Sequence, residues 1–161
     1  CGWQANGAVT TGSYNSCFGA KAQISAVGAS GEVVLGDSNV GTLRCNTQTI
    51  SALSDARDKK EVEPSPLGVD FLNKLNHVKF LWDTREGNTK DGTYEIGFIA
   101  QELQALQVDT GTEYLKMVID ENPDRLEASY GQLVPILVQA IKELSTQVKE
   151  LSIDVNQLQT A

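Results

Sequence analysis

Residues 136–159 read ILVQAIKELSTQVKELSIDVNQLQ, and Leu137, Ile141, Leu144, Val148, Leu151, Val155 and Leu158 recur there at alternating steps of four and three. That alternation is a heptad seam, with Ile141, Val148 and Val155 at one core position and Leu throughout the other. A parallel coiled coil follows. β-Branched residues at the first core position with Leu at the second favour two strands in model dimers. The flanking Val138, Ala140, Ser145, Gln147 and Ser152 are uncharged, with Asp154 the exception, and so widen the face toward three chains or a second helix. Upstream, Pro135 lacks an N–H and would clash with the Gly131 carbonyl if the helix began at Ser129, despite the Ser129-x-x-Gln132 capping-box spacing. A start nearer Gln132, or a kink, is expected.

Working toward the N-terminus, Ser65-Pro66 followed by Leu67, Val69, Phe71, Leu72 and Leu75 predicts a helix with Ser65 as N-cap, closed by Asn76-His77. Residues 78–82 and 93–99 are β-rich and joined by DTREGNTKDG, a polar turn; residues 100–106 predict a short helix. A second strand pair, 114–119 and 125–130, is joined by DENPD. Hairpins are thus expected to project from a helical base.

Residues 1–53 differ in kind. They carry 8 of the 14 glycines and four charges that cancel, Lys21 and Arg44 against Glu32 and Asp37. Short strands between glycine turns are expected. Trp3, Tyr14, Phe18, Ile24, Val33, Val34, Leu35, Leu43 and Ile50 are too thinly spread for a core within one copy, so they must be buried against other chains or repeats. This reads as the end of a fibrous β stem, interwound or stacked. A flexible linker is disfavoured by the strand-like density of residues 33–35 and 47–53. From Ser54 onward there are 11 basic and 19 acidic residues and helical periodicity, which sets a boundary between 1–53 and 54–161.

The charge balance excludes some function classes. At a net charge of -8, and with Arg57, Lys59 and Lys60 the only basic cluster, a nucleic-acid partner is not expected. Every apolar run is broken before the roughly 18 to 20 residues a membrane span needs, so no membrane partner is expected. Cys1, Cys17 and Cys45 are odd in number and widely spaced, with His77 the lone histidine, which points neither to a zinc site nor to a disulfide framework. No metal and no cofactor are expected. Cys1 stands where an initiating Met would, and no signal-like start is visible, so the chain is expected to be a fragment of a longer one.

LSDARDKKEV, residues 53–62, sits on the boundary. Taken alone, Ser54-Asp55 is most cheaply a helix N-cap or turn, and residues 57–61 a solvated charge run. Four strings in order change that reading: SDARDKKEV, KFLW in the first hairpin, YEIGFIAQEL after it, and SYGQLVPILVQAIKEL leading into the coiled coil. Residues 54–158 resemble the endosialidase-type C-terminal intramolecular chaperones, the auto-processing peptidase domains of phage tailspike and tail-fibre proteins.

The resemblance implies a single-turnover autocatalytic serine endopeptidase. Ser54 of the SD-x-R-x-K motif would be the nucleophile and Lys59 its partner, with cleavage at the Leu53–Ser54 bond. Asp55 and Arg57 match motif positions with structural roles, and Gly97, Gln101 and Glu102 match a second motif where a packing or strand-to-helix turn role is expected. It further implies an intertwined homotrimer of α+β class, in which the glycine-rich β stem precedes a helical and β-hairpin chaperone domain ending in the long coiled-coil helix. The client would be the chain's own stem, whose non-local β pairing is slow and prone to slip. After the cut the stem would remain in the virion tail, kinetically trapped, and the chaperone domain would be released in the host cytoplasm. The rivals are a non-cleaving trimerisation cap or receptor-binding tip, and the processing domain of a membrane-anchored transcription factor, which the acidic charge and lack of a span disfavour.

The implied pair carries a physical demand. A Ser hydroxyl is a poor nucleophile near pH 7, and a Lys can serve as its base only when burial or a nearby cation leaves it neutral. Lys59 is therefore expected to become partly desolvated in the cutting state. Lys60 and Arg57 would push in that direction, and Asp55, Asp58 and Glu61 would oppose it if close. The five-residue separation is a rotation of about 140° on an α-helix after full turns, and an odd step on a strand points side chains to opposite faces. Either the stretch is an irregular loop, or one chain's Lys59 serves another chain's Ser54.

Overall fold

The computed structural model describes residues 1–7, 11–47 and 49–159. The chain is mixed α+β, with, among the described residues, six short strands in three two-stranded sheets and three α-helices, the last by far the longest. It divides into two compact units: residues 1–52, 78–97 and 119–126 form one, and residues 53–77, 98–118 and 127 onward form the other.

In the first unit, β1 (Ser16–Phe18) and β2 (Val33–Leu35) pair in parallel, with Ser16 opposite Val33 and Phe18 opposite Leu35. A minor core closes around them: Cys17, Ala22 and Ile24 are buried, with Ala5, Ala29 and Val34 packed alongside. Trp3, Tyr14, Phe18, Val33 and Leu35 face outward and stay exposed.

The same unit holds the hairpin of β3 (Val78–Leu81) and β4 (Tyr94–Gly97), antiparallel with Val78 opposite Gly97 and Leu81 opposite Tyr94. The Asp91 carboxylate organises its loop, accepting from the Thr84 N–H, the Thr84 hydroxyl and the Asn88 N–H. Glu95 accepts from Trp82 Nε1 at 2.7 Å and from Lys90 Nζ at 3.1 Å. At the loop, Thr89 Oγ1 donates to the Asn39 carbonyl at 3.3 Å, tying the hairpin to the glycine-rich segment.

In the second unit, α1 (Val69–Leu72), α2 (Ala100–Thr110) and the first turns of α3 (Leu133–Gln159) enclose Phe71, Leu103, Leu115, Met117, Leu133 and Ile136. Met117 is fully buried. Helix α2 runs past the expected residue 106 and stops where Gly111 takes a left-handed conformation, a common helix C-terminal device. Helix α3 starts at Leu133, which puts Pro135 in the first turn, where its missing N–H would have had no helical partner.

Two expectations are corrected. The helix read from Ser65 to His77 is four residues long and begins at Val69. Ser65 Oγ accepts only from the Leu67 N–H in a local turn. The N-terminus of α1 is capped instead by Glu143 of α3, whose Oε2 accepts from the Val69 N–H at 2.9 Å. The second hairpin shrinks to β5 (Val118–Ile119) and β6 (Glu127–Ala128), because residues 113–115 form a single 3₁₀ turn that buries Leu115.

From Leu137 onward the heptad seam is exposed. Leu137, Ile141, Leu144, Val148, Leu151, Val155 and Leu158 are each 47% exposed or more, although the helix is continuous to Gln159. Among the described residues no helix is long and apolar enough to cross a membrane.

Candidate active site

Residues 54–59 fold as a tight turn at the start of the second unit. Asp55 is extended at φ -68° and ψ 135°, residues Ala56–Asp58 make one 3₁₀ turn, and Lys59 leaves extended at φ -119° and ψ 143°. The Asp58 N–H donates to the Asp55 carbonyl and the Lys59 N–H to the Ala56 carbonyl, both at 3.2 Å. A 3₁₀ helix completes a turn in about three residues with a rise near 2 Å each. The turn thus brings its extended flanks, Asp55 and Lys59, close together.

Ser54 precedes Asp55, and the Lys59 side chain reaches back to Ser54. Lys59 Nζ lies 2.6 Å from Ser54 Oγ and 3.3 Å from the Ser54 carbonyl oxygen. Of the two arrangements open from spacing alone, an irregular loop within one chain is the one adopted here. Each residue of the turn is solvent-exposed, so Lys59 here is a hydrated donor to the hydroxyl.

Asp55 and Arg57 hold the turn. Asp55 Oδ1 accepts from the Arg57 N–H at 2.9 Å, as an N-cap does, and from Arg57 Nε at 3.0 Å; Oδ2 takes a second guanidinium bond at 2.6 Å. The guanidinium first, and the backbone N–H second, hold the Asp55 carboxyl below the usual carboxylate range, and Asp55 raises Arg57 in return. This clamp occupies the carboxylate next to Ser54. Lys59 makes no ion pair among the described residues, with Asp58 and Glu61 included.

The second motif lies elsewhere. Gly97 ends β4. Gln101 and Glu102 sit exposed in the first turn of α2, where Glu102 Oε2 accepts from Asn76 Nδ2 at 2.9 Å. Neither bonds to Ser54 or Lys59, and the Asn76 contact ties α2 to the segment leaving α1.

Sequence reasoning missed the Glu143 cap, which Gln139 Nε2 supports by donating to Oε1 at 2.9 Å. A Cβ at Gly68 would run into that carboxylate, so the glycine makes room for it. Position 143 lies off the heptad seam and reads as one more solvated acid. Phe98 was missed as well: its N–H donates to the Tyr130 hydroxyl oxygen at 3.4 Å and its ring meets the Tyr130 ring edge-on at 5.2 Å. Among the described residues no group of His, Cys, Asp and Glu could hold a metal ion.

Residues 54–112 match the model of a peptidase family described as the chaperone of endosialidase. No curated protein and no solved structure matches the chain. The match, which opens on Ser54 itself, supports an endosialidase-type chaperone domain.

Proposed function

We propose that this chaperone domain works on its own chain: it gathers three copies, holds residues 1–53 in register while they fold as a fibrous phage tail stem, and then cuts itself off at Leu53–Ser54. The observation that carries the cleaving half is the 2.6 Å separation of Lys59 Nζ and Ser54 Oγ. Support for assembly comes from the exposed seam of α3, a row of large apolar side chains each 47% exposed or more. Support for the client comes from the Thr89 bond to Asn39, which brings the hairpin onto the glycine-rich segment.

Chemically, Ser54 Oγ attacks the Leu53 carbonyl carbon while the hydroxyl proton passes to a neutral Lys59 amine. The Leu53–Ser54 C–N bond then breaks, and Lys59 returns the proton to the departing amine, leaving Leu53 esterified to Oγ. Water hydrolyses that ester, giving a Leu53 carboxylate and a free Ser54 amine. Backbone N–H groups would stabilise the oxyanion. Direct attack by water activated at Lys59 would give the same products.

A hydrated ammonium cannot accept the hydroxyl proton, so the exposed pair waits until assembly strips water from it. Folding thereby gates the cut. The stem stays with the phage tail, and the chaperone is released in the host cytoplasm.

Intact mass after denaturation tests this for the wild type, Ser54→Ala and Lys59→Ala. The expected wild-type product begins at Ser54, and both variants stay whole. Full-length mass for all three would sink the protease reading in favour of a cap that stays attached.

A further inference from the structure

The glycine-rich segment is built on one interval. β1 and β2 pair seventeen residues apart, Ser16 with Val33. The Cys1 amine donates to the Cys17 carbonyl and the Gly19 N–H to the Cys1 carbonyl, which puts residue 1 opposite residue 18, again seventeen apart. Lys21 N–H to Trp3 carbonyl, Asn6 N–H to Ala22 carbonyl and Gly31 N–H to Ser13 carbonyl place 3 opposite 20, 6 opposite 23 and 13 opposite 30, the same offset each time. Gly2, Gly19 and Gly36 form a column at this interval, with φ of 142°, 108° and 80°. A Cβ at Gly2 would strike the Gly19 carbonyl, and one at Gly19 would stand 3.2 Å from Gly36 Cα. Each glycine therefore lets the next coil approach.

The stack is unfinished. β2 has β1 on one edge and, among the described residues, no strand on the other. Seventeen residues beyond Val33, Val34 and Leu35 stand Ile50, Ser51 and Ala52. The alternation agrees: Ile50 falls in line with the outward Ser16 and Val33, Ser51 with the inward Cys17 and Val34, and Ala52 with the outward Phe18 and Leu35. In the structure residues 49–53 belong to no strand, with Ile50 95% exposed and Leu53 fully so.

We propose that residues 50–52 are the next strand of this stack, docking in parallel on the free edge of β2, and that this docking licenses the adjacent cut. The second half rests on the Ser54–Lys59 cleavage reading; the first does not. The glycine column ends at Leu53, the first of its positions to carry a side chain, as befits a last rung with none beyond it. Ser54 follows immediately. The scissile bond thus coincides with the end of the seventeen-residue repeat, and the bond is held only when the final coil is closed. The side chain of Val40 now covers Gly36 and turns aside as the rung docks.

The offset also assigns the hydrogen bonds. The N–H groups of Val34 and Gly36 already face β1, so the Val33 and Leu35 carbonyls face the free edge and receive the N–H groups of Ser51 and Leu53. The N–H of Ile50 points away from β2. A proline at 51 removes a bond of the rung, while one at 50 does not.

Two arms test this on the full chain. In a Ser54→Ala, Cys1→Ser, Cys45→Ser background, Leu35→Cys with Ala52→Cys should oxidise to a disulfide within one chain, since neighbouring strands about 4.8 Å apart are within its reach. Leu35→Cys with Ile50→Cys, two residues out of register, should not. No 35–52 bond, or one that joins two chains, overturns the rung. In the otherwise native chain, Ser51→Pro should slow cutting at least about tenfold, as a blocked gate predicts, and Ile50→Pro should cut near the native rate. Equal rates overturn the licensing. A native chain that never cuts removes the licensing together with the dyad reading, while the cross-link still decides the rung.

Discussion

Lys59 Nζ stands 2.6 Å from Ser54 Oγ across a single 3₁₀ turn, and both side chains are open to solvent. The contact is between neighbours in one chain and needs no second copy. In the proposed function, the removal of water is what assembly would supply.

Lys59→Arg separates a base from a mere donor. A guanidinium keeps its proton and can still reach Ser54 Oγ, but it cannot accept the hydroxyl proton. Cutting should fall by roughly 10² to 10⁴-fold, the usual worth of a general base, with the thermal midpoint unchanged. Native-like cutting by Lys59→Arg, followed by mass spectrometry over time, would rule out Lys59 as the base.

The Asp55–Arg57 clamp is expected to set the turn rather than to react. Asp55→Asn keeps an N-cap acceptor and loses the ion pair, whereas Asp55→Ala loses both. Cutting should slow in the order Asn then Ala, by about tenfold for Ala, because a misplaced nucleophile loses rate steeply. The native pKa of Asp55 lies below its ordinary 3.8. The clamp is therefore complete above that value and is lost as pH falls through the lowered one, so the turn should be insensitive to pH from 5 upward. A pH-rate profile for assembled protein checks this.

Glu143 reaches across 74 residues of sequence to cap α1. Its carboxyl is lowered from 4.5, first by the Val69 N–H and then by Gln139. The stabilisation is whole above 4.5 and fades as pH falls through the lowered native value. Glu143→Ala should lower the thermal midpoint by a few degrees at neutral pH and by less under acid conditions. Gly68→Ala should do the same by pushing the carboxylate away, and the double variant should fall short of the sum. Additive losses would mean that the two residues act separately.

The seam of α3 predicts a concentration-dependent assembly. Ile141→Asp or Leu151→Asp, each replacing a residue now more than 60% exposed, should leave the folded monomer intact and shift association to at least tenfold higher concentration. Burying one such side chain is worth about 1.5 to 3 kcal/mol. Lys149→Asp, off the seam, is the control. Sedimentation equilibrium distinguishes them, and unchanged association in the seam variants would place the interface elsewhere.

The C-terminal helix and the β3–β4 hairpin were legible in the chain because each is written in neighbouring residues: a heptad, and an alternation with a turn. Ser54 and Lys59 were nameable from their motif, yet their spacing left open how they meet. That was decided by one 3₁₀ turn, which the Asp55–Arg57 clamp holds shut. The start of α1 was misread because Ser65-Pro66 is a sound local cap, while the bond that forms comes from Glu143, far along the chain. The seventeen-residue stacking escaped notice for a related reason. Its glycines are few and its interior residues small, so the interval shows only once backbone bonds set residue 1 beside 18 and 16 beside 33. Local pattern specifies which elements form. Which remote backbone groups they satisfy depends on packing, and that packing sets Glu143 on the start of α1 and, among the described residues, leaves β2 with a free edge.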